Sequence, residues 1–238
     1  MKNVNGQGNL TKQSLLIILI CYFLVGIPLL FAHQYHTNTD GISYLDIAKS
    51  YLDGNLKQAV NSYWSPFYSC LIVPALSLKL QPILAAKFLN LLAGSALIGI
   101  TYLFLGYFKI SKEVKITVLI TTAILSVHFA LSLITPDLLL TVILLSYFYF
   151  IFNESYQEKK SYAIYCGLLG GLAYLTKTYA LPFFIVHFAL VNILKKIASG
   201  KTGQILPNMA IGYLSFLTIV TPWILTVSSK ENFLTIGQ

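Results

Sequence analysis

Eight carboxylates and sixteen lysines carry the permanent side-chain charge of this 238-residue chain, which has no arginine. Three aspartates, Asp40, Asp46 and Asp53, fall in one polar stretch, "TNTDGISYLDIAKSYLDG", and the fourth, Asp137, follows a proline in "SLITPDLLL". Lys177 stands in "GGLAYLTKTYALP". A positioned carboxylate can take the proton of an attacking hydroxyl, and a lysine can stabilise a departing phosphate. Each residue also has a plainer role. Asp40 directly precedes a helical pattern and can be its N-cap, worth about 1 kcal/mol, with Thr39 as a substitute. Asp137 at a helix start complements the macrodipole. Lys177 can snorkel to an interface or pair with Asp137. These alternatives stay open on the sequence alone.

Other reactive types are sparse. His33 and His36 are three residues apart on a polar stretch without further ligands, so no clear metal set emerges. A divalent metal is possible, but the cofactor is unknown. His128 and His187 read as polar residues inside a helix bundle. Cys21, Cys70 and Cys166 lie in apolar surroundings without paired spacing, and read as buried thiols.

The elements that must position these residues are apolar. The chain is 56% hydrophobic and only 10% charged, where a soluble domain has about 25% charge; the mean hydropathy is +0.72. Gln13–Ala32, Phe88–Phe108, Ile116–Pro136, Thr178–Leu194 and Thr202–Ser229 approach or exceed the ~20 residues that cross a bilayer core. Leu138–Phe152 and Ser161–Thr176 are shorter. Such runs are too long and uniform for barrel strands. The expected fold is therefore an all-α, multi-pass transmembrane bundle of about seven spans. The first run exceeds a signal-peptide core and lacks a small-residue cleavage site, so it reads as a retained span. Two sequons, Asn9–Thr11 and Asn153–Ser155, are weak signals.

Lysine placement orients the chain. Phe67–Leu78, twelve residues with a central proline, suits an interfacial or re-entrant helix. If it does not cross, ten lysines share one side and six the other. The positive-inside bias then places the N-terminus in the cytoplasm and all four aspartates, with Lys177, outside. Lysines dispersed among loops are topology signals, not a phosphate-tracking stripe, so nucleic acid is excluded as a partner. The lipid bilayer is the expected partner.

Residues 33–81 then form an outer-face loop. Within Gly41–Leu52, Tyr44, Leu45, Ala48, Tyr51 and Leu52 make one apolar helical face, with Asp46, Lys49, Ser50 and Asp53 opposite. Such a helix lies in the interface plane. Gly54-Asn55 is its stop, and Pro66 opens the short second helix. Tyr63, Trp64 and Tyr68 sit where amphipathic rings are enriched, at headgroup depth.

Three ordered elements, "DGISYLDIAKSYLDGN…NSYWSPFYSCL", "SLITPDLLL" and "GGLAYLTKTYALP", resemble the C-type glycosyltransferases, in the branch of protein O-mannosyltransferases and lipid A aminoarabinose transferases. The resemblance implies transfer of a sugar from a polyprenyl-phosphate donor to an unknown acceptor. It places the enzyme in the plasma (inner) membrane of the cell envelope, with its active face outside. It matches Asp40 to the first-loop catalytic carboxylate, Asp137 to the second-loop acid, and Lys177 to the lysine near the donor phosphate. Tyr44, Tyr63 and Trp64 are the accompanying substrate-binding candidates. Many relatives have Asp-Glu where this chain has Asp40-Gly41, which puts metal dependence in question. Relatives are also longer, so residues 1–238 are expected to be a single membrane domain from the N-terminal part of such an enzyme. The competing readings are a non-enzymatic membrane protein, such as a transporter component, and an inactive truncated relative.

Overall fold

The computed structural model describes residues 12–199 and 205–237. The Asn9–Thr11 sequon, Lys2, Lys201 and the start of the Thr202 run lie outside the described residues. All regular structure among the described residues is helical: α1 (Lys12–Ala32), α2 (Thr39–Leu52), α3 (Leu56–Ala59), α4 (Pro66–Ser77), α5 (Pro82–Phe104), α6 (Lys112–Ser132), α7 (Asp137–Ile151), α8 (Lys160–Thr176), α9 (Ala180–Ser199) and α10 (Ile205–Glu231). Single 3₁₀ turns cover Leu105–Tyr107 and Glu154–Gln157.

Five of these helices, α1, α5 with its 3₁₀ extension, α6, α9 and α10, are long and apolar enough to cross a membrane. Their outward faces carry exposed Leu24, Ile124, Val186, Leu214 and Leu225, which suit hydrocarbon rather than water. The protein is a multi-pass helical membrane protein. With 15 and 17 residues, α7 and α8 reach only about 22 and 26 Å, short of a ~30 Å core. Five long spans are thus evident where about seven were expected.

Two helical cores stand side by side. Tyr22, Leu91, Ile98, Leu119 and Ala130 join α1, α5 and α6. Tyr147, Cys166, Phe184, Phe188, Phe216 and Val220 join α7 to α10. Lipid supplies no hydrophobic drive for helices to associate, so close packing must do it, and small residues permit that. A Cβ added to Gly167 would lie 2.1 Å from the Gly212 carbonyl oxygen, and one on Gly171 would lie 2.5 Å from Ile219 Cβ. This lets α8 pack against α10 along its length, with α7 on its other side.

Several outward residues correct the sequence reading. Cys21 and Cys70 are exposed on the protein surface and only Cys166 is buried. His128 is exposed too, because α6 buries the stripe Leu119, Ser126 and Ala130. His187, by contrast, faces inward and bonds the Tyr147 hydroxyl at 2.8 Å. Apolar periodicity marks a helix as membrane-spanning without saying which of its sides meets protein.

The 33–81 loop folds as α2, the single-turn α3 and α4 against the bundle end. As expected, α2 stops before Gly54 at φ +71°, and Pro66 opens α4. The buried stripe of α2 is Gly41, Tyr44, Ile47 and Ala48, turned from the expected face so that Leu52 is exposed. The reason is packing: α2 lies on α4, with Tyr44 and Ala48 against Tyr68 and Ile72.

Candidate functional site

Asp40, Tyr44, Tyr63, Trp64, Asp137 and Lys177 all line one cavity of about 470 Å³. They come from three segments distant in sequence: α2 and the loop before α4, the turn between α6 and α7, and the turn between α8 and α9. A smaller cavity of about 220 Å³, lined by Asn90, Leu138 and Thr141, also borders Asp137.

Asp40 is not a cap. The N-cap of α2 is Asn38, and Asp40 lies inside the first turn, where its charge still complements the helix dipole. Thr39 does not cap either, and Asn38 makes no side-chain cap bond. Instead Asn38 Oδ1 accepts the Ile134 N–H at 2.8 Å. That N–H belongs to an extended link between α6 and α7, and the amide supplies the partner a buried backbone donor requires. The bond ties the Asp40 segment to the Asp137 segment. Asp40 itself is exposed, and no lysine pairs with it among the described residues.

Gly41 explains why no second acid follows Asp40. A Cβ here would lie 2.8 Å from Ile134 Cβ and 2.8 Å from Thr37 Oγ1. Ile134 is fully buried and cannot swing away. A glutamate side chain has no room between α2 and the α6–α7 link.

Asp137 opens α7 after Pro136, and Lys177 ends α8. Lys177 Nζ donates to Asp137 Oδ1 at 2.5 Å. The two side chains are 27% and 55% exposed, so this is a screened pair worth about 0–1 kcal/mol. The Tyr179 ring centroid lies 5.9 Å from the same ammonium. Such a lysine is held in place yet can exchange its carboxylate for another anion at small cost.

The aromatic wall is pre-set. Asn61 Oδ1 accepts the N–H groups of Tyr63 and Trp64, at 3.1 and 2.6 Å, fixing their turn. Trp64 meets Tyr44 edge-on at 4.8 Å and Tyr63 at 4.9 Å. Burial, with the charges of Asp137 and Asp40 nearby, pushes the Tyr44 hydroxyl well above its usual range, so it stays a neutral phenol. Ser65 Oγ donates to the Tyr174 carbonyl at 3.4 Å, holding this wall on α8.

Sequence reasoning missed several positioning residues. Asn38 and Asn61 act through side-chain bonds to backbone that no periodicity reveals. The Lys87 ammonium is fully buried and donates to the His33 carbonyl at 2.8 Å, pinning the start of the loop. Tyr179 lay within the "TKTYALP" stretch but carried no separate signal. The segment after α10 also reaches the site: the Tyr174 hydroxyl donates to the Ile236 carbonyl at 2.7 Å, and Ile236 lines the cavity.

The residues do not make a metal site of ordinary density. Among the described residues no three His, Cys, Asp or Glu side chains gather around a common point. His33 Nδ1 is engaged with the Leu29 carbonyl at 2.9 Å, and its ring stands 5.8 Å from that of His36. In the cavity Asp137 already holds Lys177. Compared with protein-family models, curated proteins and solved structures, the chain matches none.

Proposed function

We propose that this chain is a membrane glycosyltransferase, or the membrane part of one, that moves a sugar from a polyprenyl-phosphate donor to an acceptor at the outer face. The observation that carries the reading is the convergence of an exposed carboxylate, a second acid and a lysine in one aromatic-walled cavity at a bundle end.

The chemistry follows from their types. The acceptor hydroxyl oxygen forms a bond to the sugar's anomeric carbon while the bond from that carbon to the phosphate oxygen breaks. Asp40 takes the hydroxyl proton. The phosphate leaves with the bonding electron pair, and Lys177 stabilises its charge. Asp137 holds Lys177 until a donor phosphate replaces it. Tyr44, Tyr63 and Trp64 offer ring faces and a neutral hydroxyl to the sugar. A site at the membrane boundary leaves the polyprenyl tail in lipid while the head group meets a water-borne acceptor.

In this reading α7 and α8 also cross, giving seven spans with the N-terminus cytoplasmic and the cavity outside. This requires local thinning of the bilayer around two short helices, which costs fractions of a kcal/mol per Å.

One observation favours a second reading. The Asp137–Lys177 pair is complete without any ligand, as in a non-enzymatic protein where it only fastens two turns. The deciding experiment incubates membranes from cells with and without the chain with a labelled polyprenyl-phosphate sugar. Chain-dependent release of polyprenyl phosphate supports transfer. Intact donor in membranes shown to contain the folded chain favours the fastener.

A further inference from the structure

A second polar cavity lies at the opposite end of the bundle. Its lining includes residues of the link between α5 and α6, the start of α6, and the link after α7. The length of α6 puts about 30 Å between this end and the Asp137 turn. The cavity measures about 810 Å³.

Its charge is unusual. Lys115 lines it while being only 9% exposed, and Lys109 stands at its exposed edge. Among the described residues the single ion pair is Lys177–Asp137, so neither of these lysines has a carboxylate partner. The side chain of Lys115 is mostly covered by protein while its ammonium opens on the cavity without a carboxylate partner, so an anion bound there would supply the missing counter-charge. Lys115 also sits in the first turn of α6, where the helix dipole adds positive potential. Glu154 is the one carboxylate on the lining, so the two lysines leave it with an excess of one positive charge.

The rest of the wall is built for an amphiphile. Asn153 Nδ2 donates to the Tyr107 hydroxyl at 2.8 Å, which donates to the Tyr149 carbonyl at 2.9 Å. That chain fixes the polar rim, and Ser155 adds a hydroxyl. Phe104 and Phe108 meet edge-on at 5.5 Å, and Phe152 is a further apolar residue of the lining. Cationic groups beside exposed aromatic rings at a span terminus are what a lipid headgroup and its first methylenes need.

We propose that this cavity binds the phosphate of an anionic membrane lipid, with Lys115 and Lys109 on the phosphate and the three phenylalanines against the chain-bearing end. The site is separate from the transfer cavity and does not depend on its chemistry.

The test is native mass spectrometry of the full chain released from mixed micelles of phosphatidylglycerol and phosphatidylcholine. Wild type should retain phosphatidylglycerol in preference to phosphatidylcholine. Lys115→Met should lower that preference roughly tenfold, the effect of losing one charge-assisted hydrogen bond. Lys49→Met, which removes the same charge at the other end of the bundle, should leave it unchanged. If Lys115→Met does not fold, Lys109→Met carries the test and should also lower the preference. Equal retention by wild type and the Lys115 or Lys109 variant would overturn the proposal, as would an equal loss in Lys49→Met. Lys115-dependent binding of inorganic phosphate without any lipid preference would overturn the assignment to a lipid.

Discussion

Lys177 Nζ and Asp137 Oδ1, 40 residues apart in sequence, meet at 2.5 Å and join the end of α8 to the start of α7. The pair stands in the wall of the cavity rather than beneath it, and both side chains keep contact with solvent. Lys177→Met should therefore change thermal stability by no more than about 1 kcal/mol. Binding of a polyprenyl phosphate should weaken by about tenfold or more, since a charged hydrogen bond contributes about 1.5–3 kcal/mol. Calorimetry and a donor-binding assay on the same preparation separate the two effects. A large loss of stability, repaired by adding Asp137→Asn, would instead identify a structural fastener.

Gly41 should tolerate no side chain. Gly41→Ala places a methyl group 2.8 Å from Ile134 Cβ, and overpacking of this kind costs about 1–3 kcal/mol. The expected result is a lower melting temperature, with a larger drop for Gly41→Glu. Unchanged melting in both variants would show that α2 can lift from the α6–α7 link.

The α8–α10 contact makes a similar demand within the bundle. Gly167→Val must separate the two helices, because even a Cβ there would fall 2.1 Å from the Gly212 carbonyl oxygen. We expect this variant to melt early or fail to accumulate, while Gly99→Val, with nothing within 4 Å of its Cβ position, behaves as wild type. Detergent-solution melting curves of the two variants make the comparison.

Topology can be read by labelling. In a background with Cys21, Cys70 and Cys166 replaced, a cysteine at Asn55 should react with an impermeant reagent from outside, and one at Ser155 only from inside. Labelling of both from the same side would remove the seven-span arrangement and the outward cavity with it.

Much of this was legible in the sequence because membrane chemistry is demanding. Hydrophobic runs located the long helices, though α5 starts at Pro82 rather than Phe88 and α9 reaches Ser199 rather than Leu194. Glycine and proline marked the end of α2 and the start of α4. The three polar excursions were visible because charge is rare within apolar runs and so marks where they end, and their residues do share one cavity. What the sequence hid depended on tertiary partners. Asn38 bonds the α6–α7 link instead of capping α2, so Asp40 could not be placed by counting from the helix start. The outward face of Cys21 and the exposure of His128 were equally hidden, since an apolar helix in lipid has no polar side to mark its exterior. α7 starts only at Asp137, after its N-cap Pro136, and α8 stops at its C-cap Lys177, both short of a full crossing.

Sugar transfer by Asp40→Asn tests the catalytic assignment. Asp40 does not cap α2 and has no lysine partner among the described residues, so an amide there should leave melting nearly unchanged. An amide cannot take the acceptor's proton, and loss of a general base typically costs about 10²–10⁴-fold in turnover. The measurement is release of polyprenyl phosphate from a labelled polyprenyl-phosphate sugar, by wild type and variant at matched levels of folded protein. A fall within that range with unchanged melting is the expected result. Wild-type turnover by the asparagine variant would contradict the assignment of Asp40 as the base.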